Sequence, residues 1–425
     1  MSTTSLQRRN QGVLVVGQLL SGVGVASGVA VGGILAAELA GTTAASGFVQ
    51  TASALGAGLV AVPLANLAVR AGRRWALSTG FALGAVGAAL VLLAAMLGQF
   101  WLMAAGMLFF GSATAAGLQA RYAAVDGAPP EKAGRAMAIV IWATTVGSVA
   151  GPNLSAPGRL IGIRLGLVPL SGPFVFSLIA FVTAALVIAV FFLTPPRAPA
   201  APAKLTKQHG AWRALRLASH NPRALFALAA VTGGHAIMVG VMVMTPVAMN
   251  AHGHALEIIG IVISLHILGM YAASPVFGWL VDKLGAMPVV FIGCGVFLAA
   301  ITLGAVTSDS SNPVMMSLAL TMLGLGWSAC LIGGSSLLNQ SAPEELRVPL
   351  QGANDMMMNF GAAAMAALAG PVLTLGGFFW VNMMALAVLV PMVLLGLRAL
   401  RTAPKPAGEL RSLVEVGDND ASDGV

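Results

Sequence analysis

The sequence is poor in charge. Only 8% of its 425 residues are Asp, Glu, Lys or Arg, against 58% hydrophobic, whereas a soluble domain carries about 25% charged residues. Soluble enzymes and nucleic-acid binders are excluded on that ground, since the apolar runs between the charge clusters could not be kept in water. Cysteine is almost absent. Cys294 and Cys330 both lie inside apolar runs, which excludes a disulfide framework or a Cys-rich metal cluster and leaves two small buried hydrophobes. A convincing small-residue cleavage site is also missing near the N-terminus. Met1 to Asn10 leads into about 27 apolar residues, too long for a signal-peptide core, so this stretch reads as a retained first helix.

What is there is a set of apolar runs long enough to cross a hydrocarbon core of about 30 Å. Broken by Gly, Pro and charge, they predict twelve spans between residues 12 and 399, including 223–249, 256–281, 350–375 and 377–399. With the N-terminus in the cytoplasm, every one of the 22 basic residues except Arg159 and Arg164 falls inside, so the positive-inside rule places both termini there. The net charge of +8 then reports topology and anionic lipid headgroups rather than nucleic acid. The organisation expected is a six-helix half at 1–193, a cytoplasmic linker at 194–222, a second six-helix half at 223–400 and a cytoplasmic tail at 401–425. The acidic end of that tail, from Glu409, reads as disordered.

The halves echo each other. Ala65 to Gly72 is matched by Gly278 to Gly285, an offset of 213 residues in a chain of 425, and Gly151-Pro152 is matched by Gly370-Pro371. At these residues the sequence resembles the major facilitator superfamily, whose signature between helices 2 and 3 is G-x-x-x-D-[RK]-x-G-[RK]-[RK]. The second copy fits through Gly278, Asp282, Lys283 and Gly285; the first keeps Arg70, Gly72, Arg73 and Arg74 but has Val69 where the family has Asp. The resemblance implies an all-α membrane protein of twelve helices in two pseudo-repeats, with Asp282, Lys283 and Arg70 at a cytoplasmic latch. Gly147-x-x-x-Gly151-Pro152 also looks like a motif of proton-driven antiporters, though close packing of small residues explains it more simply.

In such a fold, ionisable residues near the bilayer midplane are functional by default because burying them is costly. Only Glu38, Glu257 and Asp355 among the acids lie within predicted spans, each near an end, which counts against a polyvalent cation or a hard metal. Histidine and methionine stand there instead. Met238 and Met242 are four apart in span 7, as are His266 and Met270 in span 8, so each pair shares a helix face. Counted from the outer ends at about 1.5 Å per residue, Met242 falls level with His266 and Met238 with Met270. Thioether and imidazole suit Cu(I), and His235 can extend the ladder inward. Met is also ordinary flexible filler in a helix bundle.

M-x-x-x-M on helix 7 followed by H-x-x-x-M on helix 8 is similar to CcoA-type bacterial copper importers, which supply copper for cbb3-type cytochrome oxidase. That resemblance implies a monomeric, non-enzymatic importer in the bacterial cytoplasmic membrane, with Met238, Met242, His266 and Met270 as ligands. Its substrate is a copper ion, exchanged with periplasmic or cytoplasmic copper carriers, and no cofactor is permanently bound. Neighbouring members of the branch carry flavins, so an importer of an organic solute such as riboflavin stays open beside it, as do a drug/proton antiporter and a non-transporting assembly factor. Among the remaining polar residues, Asp355 reads as a gate brace or proton carrier, and Arg121 with Asp126 as a cytoplasmic gate element. His252 and His254 read as a solvated outer loop, and Gln18, Gln50 and Gln119 as interhelical hydrogen bonds or cavity wall.

Overall fold

A computed structural model describes residues 3–41, 45–126, 128–193, 210–253, 256–308 and 312–401. His254, residues 194–209 of the expected linker and the tail from 402 lie outside them. Within them the chain is all α-helix with two short 3-10 turns. The helices are α1 (Thr3–Ala40), α2 (Ala45–Ala71), α3 (Arg73–Leu97), α4 (Phe100–Val125), α5 (Ala133–Asn153), α6 (Ser155–Arg164) and α7 (Pro173–Phe191), then α8 (Ala211–Ser219), α9 (Pro222–Ala251), α10 (Leu256–Tyr271), α11 (Ser274–Leu284), α12 (Ala286–Val306), α13 (Pro313–Ser341) and α14 (Glu344–Arg401).

Eleven helical segments among the described residues are long and apolar enough to cross a membrane. The difference from twelve arises in α14, whose 58 residues merge the last two predicted spans. At about 1.5 Å per residue a helix of that length is nearly three times the thickness of a hydrocarbon core, and it is interrupted at Gly377, where φ is 71° and ψ is −174°. The predicted span 256–281 is instead divided, α10 ending at Tyr271 and α11 starting at Ser274.

Charged side chains gather at one end of the bundle, around the start of α3 and α5 and the end of α2 and α11. There the two signature glycines adopt one conformation: Gly72 has φ 89° and ψ 165°, Gly285 has φ 91° and ψ 162°. Side chains with a Cβ rarely take that left-handed region, so the sequence echo has a shared backbone cause. Packing follows the small residues as well. Gly147 and Gly151 of α5 lie so close to Val23 and Ala26 of α1 that neither has room for a Cβ, while Gly370, the echo of Gly151 to within a few residues, faces open space.

Buried side chains form two large cores. One is drawn from residues 14–192 and includes Phe81, Phe110, Phe174 and Phe181. The other comes mainly from residues 214–399, including Phe226, Phe297 and Trp327, and takes in Tyr122, Met137, Ala138 and Ile141 from the first half. The halves meet through α2 against α14 and α5 against α11.

Candidate functional site

A cavity of about 120 Å³ lies where the halves face each other. From the first half α1 contributes Gln18 and Ser21, α4 contributes Gly117 and Arg121, and α5 contributes Thr144 and Ser148; Tyr271 and Trp327 close it from α10 and α13. Tyr271 and Trp327 pack edge to face, 5.4 Å between ring centroids. The Trp327 indole N–H donates to His235 Nδ1 at 2.8 Å, so the indole offers the cavity its ring rather than its donor. Gln18 Nε2 donates to Thr144 Oγ1 at 3.0 Å, and Gln18 Oε1 is buried with no partner.

Beneath the cavity sits an ion pair that crosses between the halves. Arg121 Nη2 lies 2.6 Å from Asp355 Oδ1, with the side chains 1% and 0% exposed. The guanidinium also donates to Ser335 Oγ, to the Leu118 carbonyl and to Tyr122 Oη, and Asn354 Nδ2 donates to the same phenol at 3.2 Å. Asp355 Oδ2 is buried without a partner. A second cavity of about 460 Å³ opens toward the charged end, lined by Asp126, Met137, Ser336, Asn339, Glu344 and Arg347 among others. Along α4 the order is Gly117, Arg121, Val125, and along α13 it is Leu331, Ser335, Asn339, one helical turn apart each time. The outer members line the two cavities and the middle ones hold the pair, which makes the pair a septum.

The charged end is held at two more points. Asp282 at the end of α11 accepts from the backbone N–H groups of Gly134 and Arg135 at 2.8 and 3.2 Å, an anion set on the N-terminus of α5 where unpaired N–H groups and the helix dipole favour it. Arg135 Nε approaches the same carboxylate at 3.3 Å. The first copy of the signature, lacking its Asp at Val69, is bridged differently. Arg73 donates to Asp126 at 2.8 Å and across the halves to Gln351 Oε1 at 2.7 Å.

Arg121 and Asp126, read together as a cytoplasmic gate element, do not pair with each other: Asp126 is taken by Arg73 and Arg121 turns inward to Asp355. Lys283 lies over the Trp279 ring at 4.6 Å, and Arg70 is exposed in the last turn of α2. Of the glutamines, Gln18 is cavity wall, Gln119 donates to the Ala61 carbonyl at 2.8 Å and Gln50 is exposed. His252 bonds the Ala248 carbonyl at the end of α9. Met238, His266 and Met270 are buried and Met242 is half-buried. These four do not line the central cavity. Helices α9 and α10 touch only slightly, and α13 packs against both. His266 Nδ1 donates to the Leu320 carbonyl of α13 at 2.7 Å, leaving Nε2 as a buried atom with no partner. Tyr271 and Trp327 are among the cavity residues the sequence did not single out, since aromatic side chains in apolar helices are ordinary packing.

The sequence model of the Major Facilitator Superfamily matches residues 14–257 and 240–417. The chain is 33% identical to the uncharacterized MFS-type transporter YdeG of Bacillus subtilis over 372 residues, 87% of this chain and 86% of that protein. It is 28% identical to the riboflavin transporter RfnT of Brucella anthropi over 417 residues, 96% of this chain and 99% of that protein. Among solved structures, the transporter FucP in the outward conformation superposes with a TM-score of 0.71 at 14% identity, covering 92% of this chain and 99% of that one, a likeness of fold. RfnT is named for riboflavin, and copper appears in neither relative's name.

Proposed function

The chain belongs to the major facilitator superfamily, and from that membership we propose that this multi-pass secondary transporter imports an uncharged organic solute of the riboflavin type across the bacterial cytoplasmic membrane. One observation carries the reading: the cavity between the halves is walled by two aromatic rings and uncharged polar groups, with its one guanidinium neutralised by Asp355. The relative named for riboflavin, similar along almost the whole chain, supports it. Twelve crossings follow from dividing α14 at Gly377, with both termini cytoplasmic by the positive-inside rule.

Alternating access then has identifiable parts. The Arg121–Asp355 septum, the Asp282 cap on α5 and the Arg73–Gln351 bridge all join one half to the other, so all three must part for the cavity to open toward the charged end. Pockets for drug-sized ligands run from about 300 Å³ upward, so the cavity as it stands admits a single ring system and a flavin requires the halves to separate further. The test is riboflavin uptake in a riboflavin-requiring bacterium carrying the gene. Growth at low riboflavin is expected, reduced by Trp327→Leu; no uptake above the vector control sinks the reading.

A second reading, copper import through Met238, Met242, His266 and Met270, is favoured by the unpartnered Nε2 of His266, since a neutral imidazole oriented by a carbonyl at Nδ1 is a ready soft-metal ligand. Copper accumulation that falls with His266→Leu while riboflavin uptake persists would support it; accumulation unchanged by that substitution removes it.

A further inference from the structure

We infer that the central cavity recognises its solute by a lactam or imide edge, a carbonyl beside an N–H on an uncharged planar ring, and that it excludes anions. This rests on the transporter reading above and adds the chemistry of recognition.

The first observation is a count of hydrogens. A guanidinium has five N–H groups. Four are engaged on Arg121: Nε by Ser335, one of Nη1 by the Leu118 carbonyl, and both of Nη2 by Tyr122 and Asp355. One N–H on Nη1 remains on a residue that lines the cavity. The second observation is a matching acceptor. Gln18 is 8% exposed, lines the same cavity, and its Oε1 has no partner because its amide nitrogen is the atom that meets Thr144. Both groups lie along one stretch of α4. A Cβ placed on Gly117 would stand 3.4 Å from both Oε1 and Nε2 of Gln18 and 3.1 Å from Ser21 Oγ, and residue 117 precedes Arg121 by four positions on the same face of that helix. One donor and one acceptor are thus left over on the wall of one cavity, and a buried polar group left unpaired is costly until something satisfies it. A ring carrying C=O next to N–H satisfies both, the carbonyl taking the Arg121 proton and the N–H giving its own to Gln18.

The third observation sets charge and shape. Among the described residues Arg121 is the only Lys, Arg, Asp or Glu on the cavity wall, and Asp355 lies against it at 2.6 Å. The wall is therefore neutral, and an anion entering would be desolvated with no free cation to meet it. Tyr271 and Trp327, from the opposite half, supply flat apolar surface for the ring.

The experiment uses the purified full-length protein in lipid nanodiscs and equilibrium dialysis of four probes: lumiflavin, N3-methyl-lumiflavin, riboflavin and riboflavin 5′-phosphate. Lumiflavin is expected to bind about tenfold more tightly than its N3-methyl derivative, the value of one buried hydrogen bond, and riboflavin at least about tenfold more tightly than its phosphate. Gln18→Leu should weaken lumiflavin and leave the methylated probe unchanged, abolishing the difference. Asp355→Asn, which frees the Arg121 charge, should shift preference toward the phosphate; if that variant does not fold, the Gln18→Leu comparison decides. Equal binding of lumiflavin and its methyl derivative, or of riboflavin and its phosphate, overturns the inference. So does failure of the flavins to bind, unless uracil binds in their place, is weakened by N3-methylation, and loses that difference in Gln18→Leu. In that last case the riboflavin reading falls and the lactam recognition stands.

Discussion

Arg121 and Asp355 are buried together, and that fixes how each responds to substitution. Removing one partner leaves an uncompensated buried charge, expected to destabilise by about 3–5 kcal/mol, whereas replacing both by apolar side chains of similar volume is close to neutral. Thermal unfolding of Arg121→Met, Asp355→Leu and the double variant should show the double variant above both singles; a double variant at or below them would contradict the pairing. Gly72 and Gly285 share one left-handed conformation, so an Ala at either should cost about 1–2 kcal/mol, and the two melting shifts should be similar. The sequence singled out Arg121 and Asp355 as candidate gate residues and Gln18 as an interhelical hydrogen bond or cavity wall, because charge and amide groups stand out in apolar runs. It misdirected the partner. Asp126 is near Arg121 along the chain, but it is 45% exposed, and a guanidinium buried away from water needs an acid buried with it. Asp355 was the acid inside a span of the second half, and a requirement for charge balance would have selected it. Tyr271 and Trp327 had no such signal, since nothing in a ring's identity says that it faces a cavity.

Among the elements, α5 depends on α11 for its first turn. Asp282 supplies the acceptor for two N–H groups of α5, so Asp282→Ala should loosen both the helix start, by about 1 kcal/mol, and the hold between the halves. Ser336 lines the cavity at the charged end. A Ser336→Cys reporter in a background lacking Cys294 and Cys330 should react faster with an aqueous maleimide when Asp282 is Ala; an unchanged rate would place the closure elsewhere. Most helices were legible because an apolar run of about 20 residues has few other fates. The two discrepancies had signals of their own. Pro275 stands in the first turn of α11, where a missing N–H costs nothing and where the chain before it is turned from helix, and Gly376-Gly377 precedes the last stretch of α14. Hydropathy alone reads through Pro275, which leaves the run apolar, whereas Gly376-Gly377 marks the boundary between the predicted spans 350–375 and 377–399 where α14 is interrupted.

For the whole molecule, the distribution of Lys and Arg sets an expected orientation. Reporter fusions after Gly166 should be active only outside the cytoplasm, and fusions in the linker or after Arg401 only within it; the reverse pattern would invert every assignment of inner and outer gate. The two cores are drawn mainly from different halves, and the buried Arg121–Asp355 pair crosses between them. Arg121 is wall to the cavity and partner to Asp355 at once. Thermodynamic linkage makes that sharing reciprocal: whatever factor a bound solute applies to the equilibrium of the ion pair, opening the pair applies to the affinity for the solute. A substitution that merely slackens the pair should therefore read out in two unrelated assays in the same direction, as weaker retention of solute and as a larger population of molecules open at the charged end.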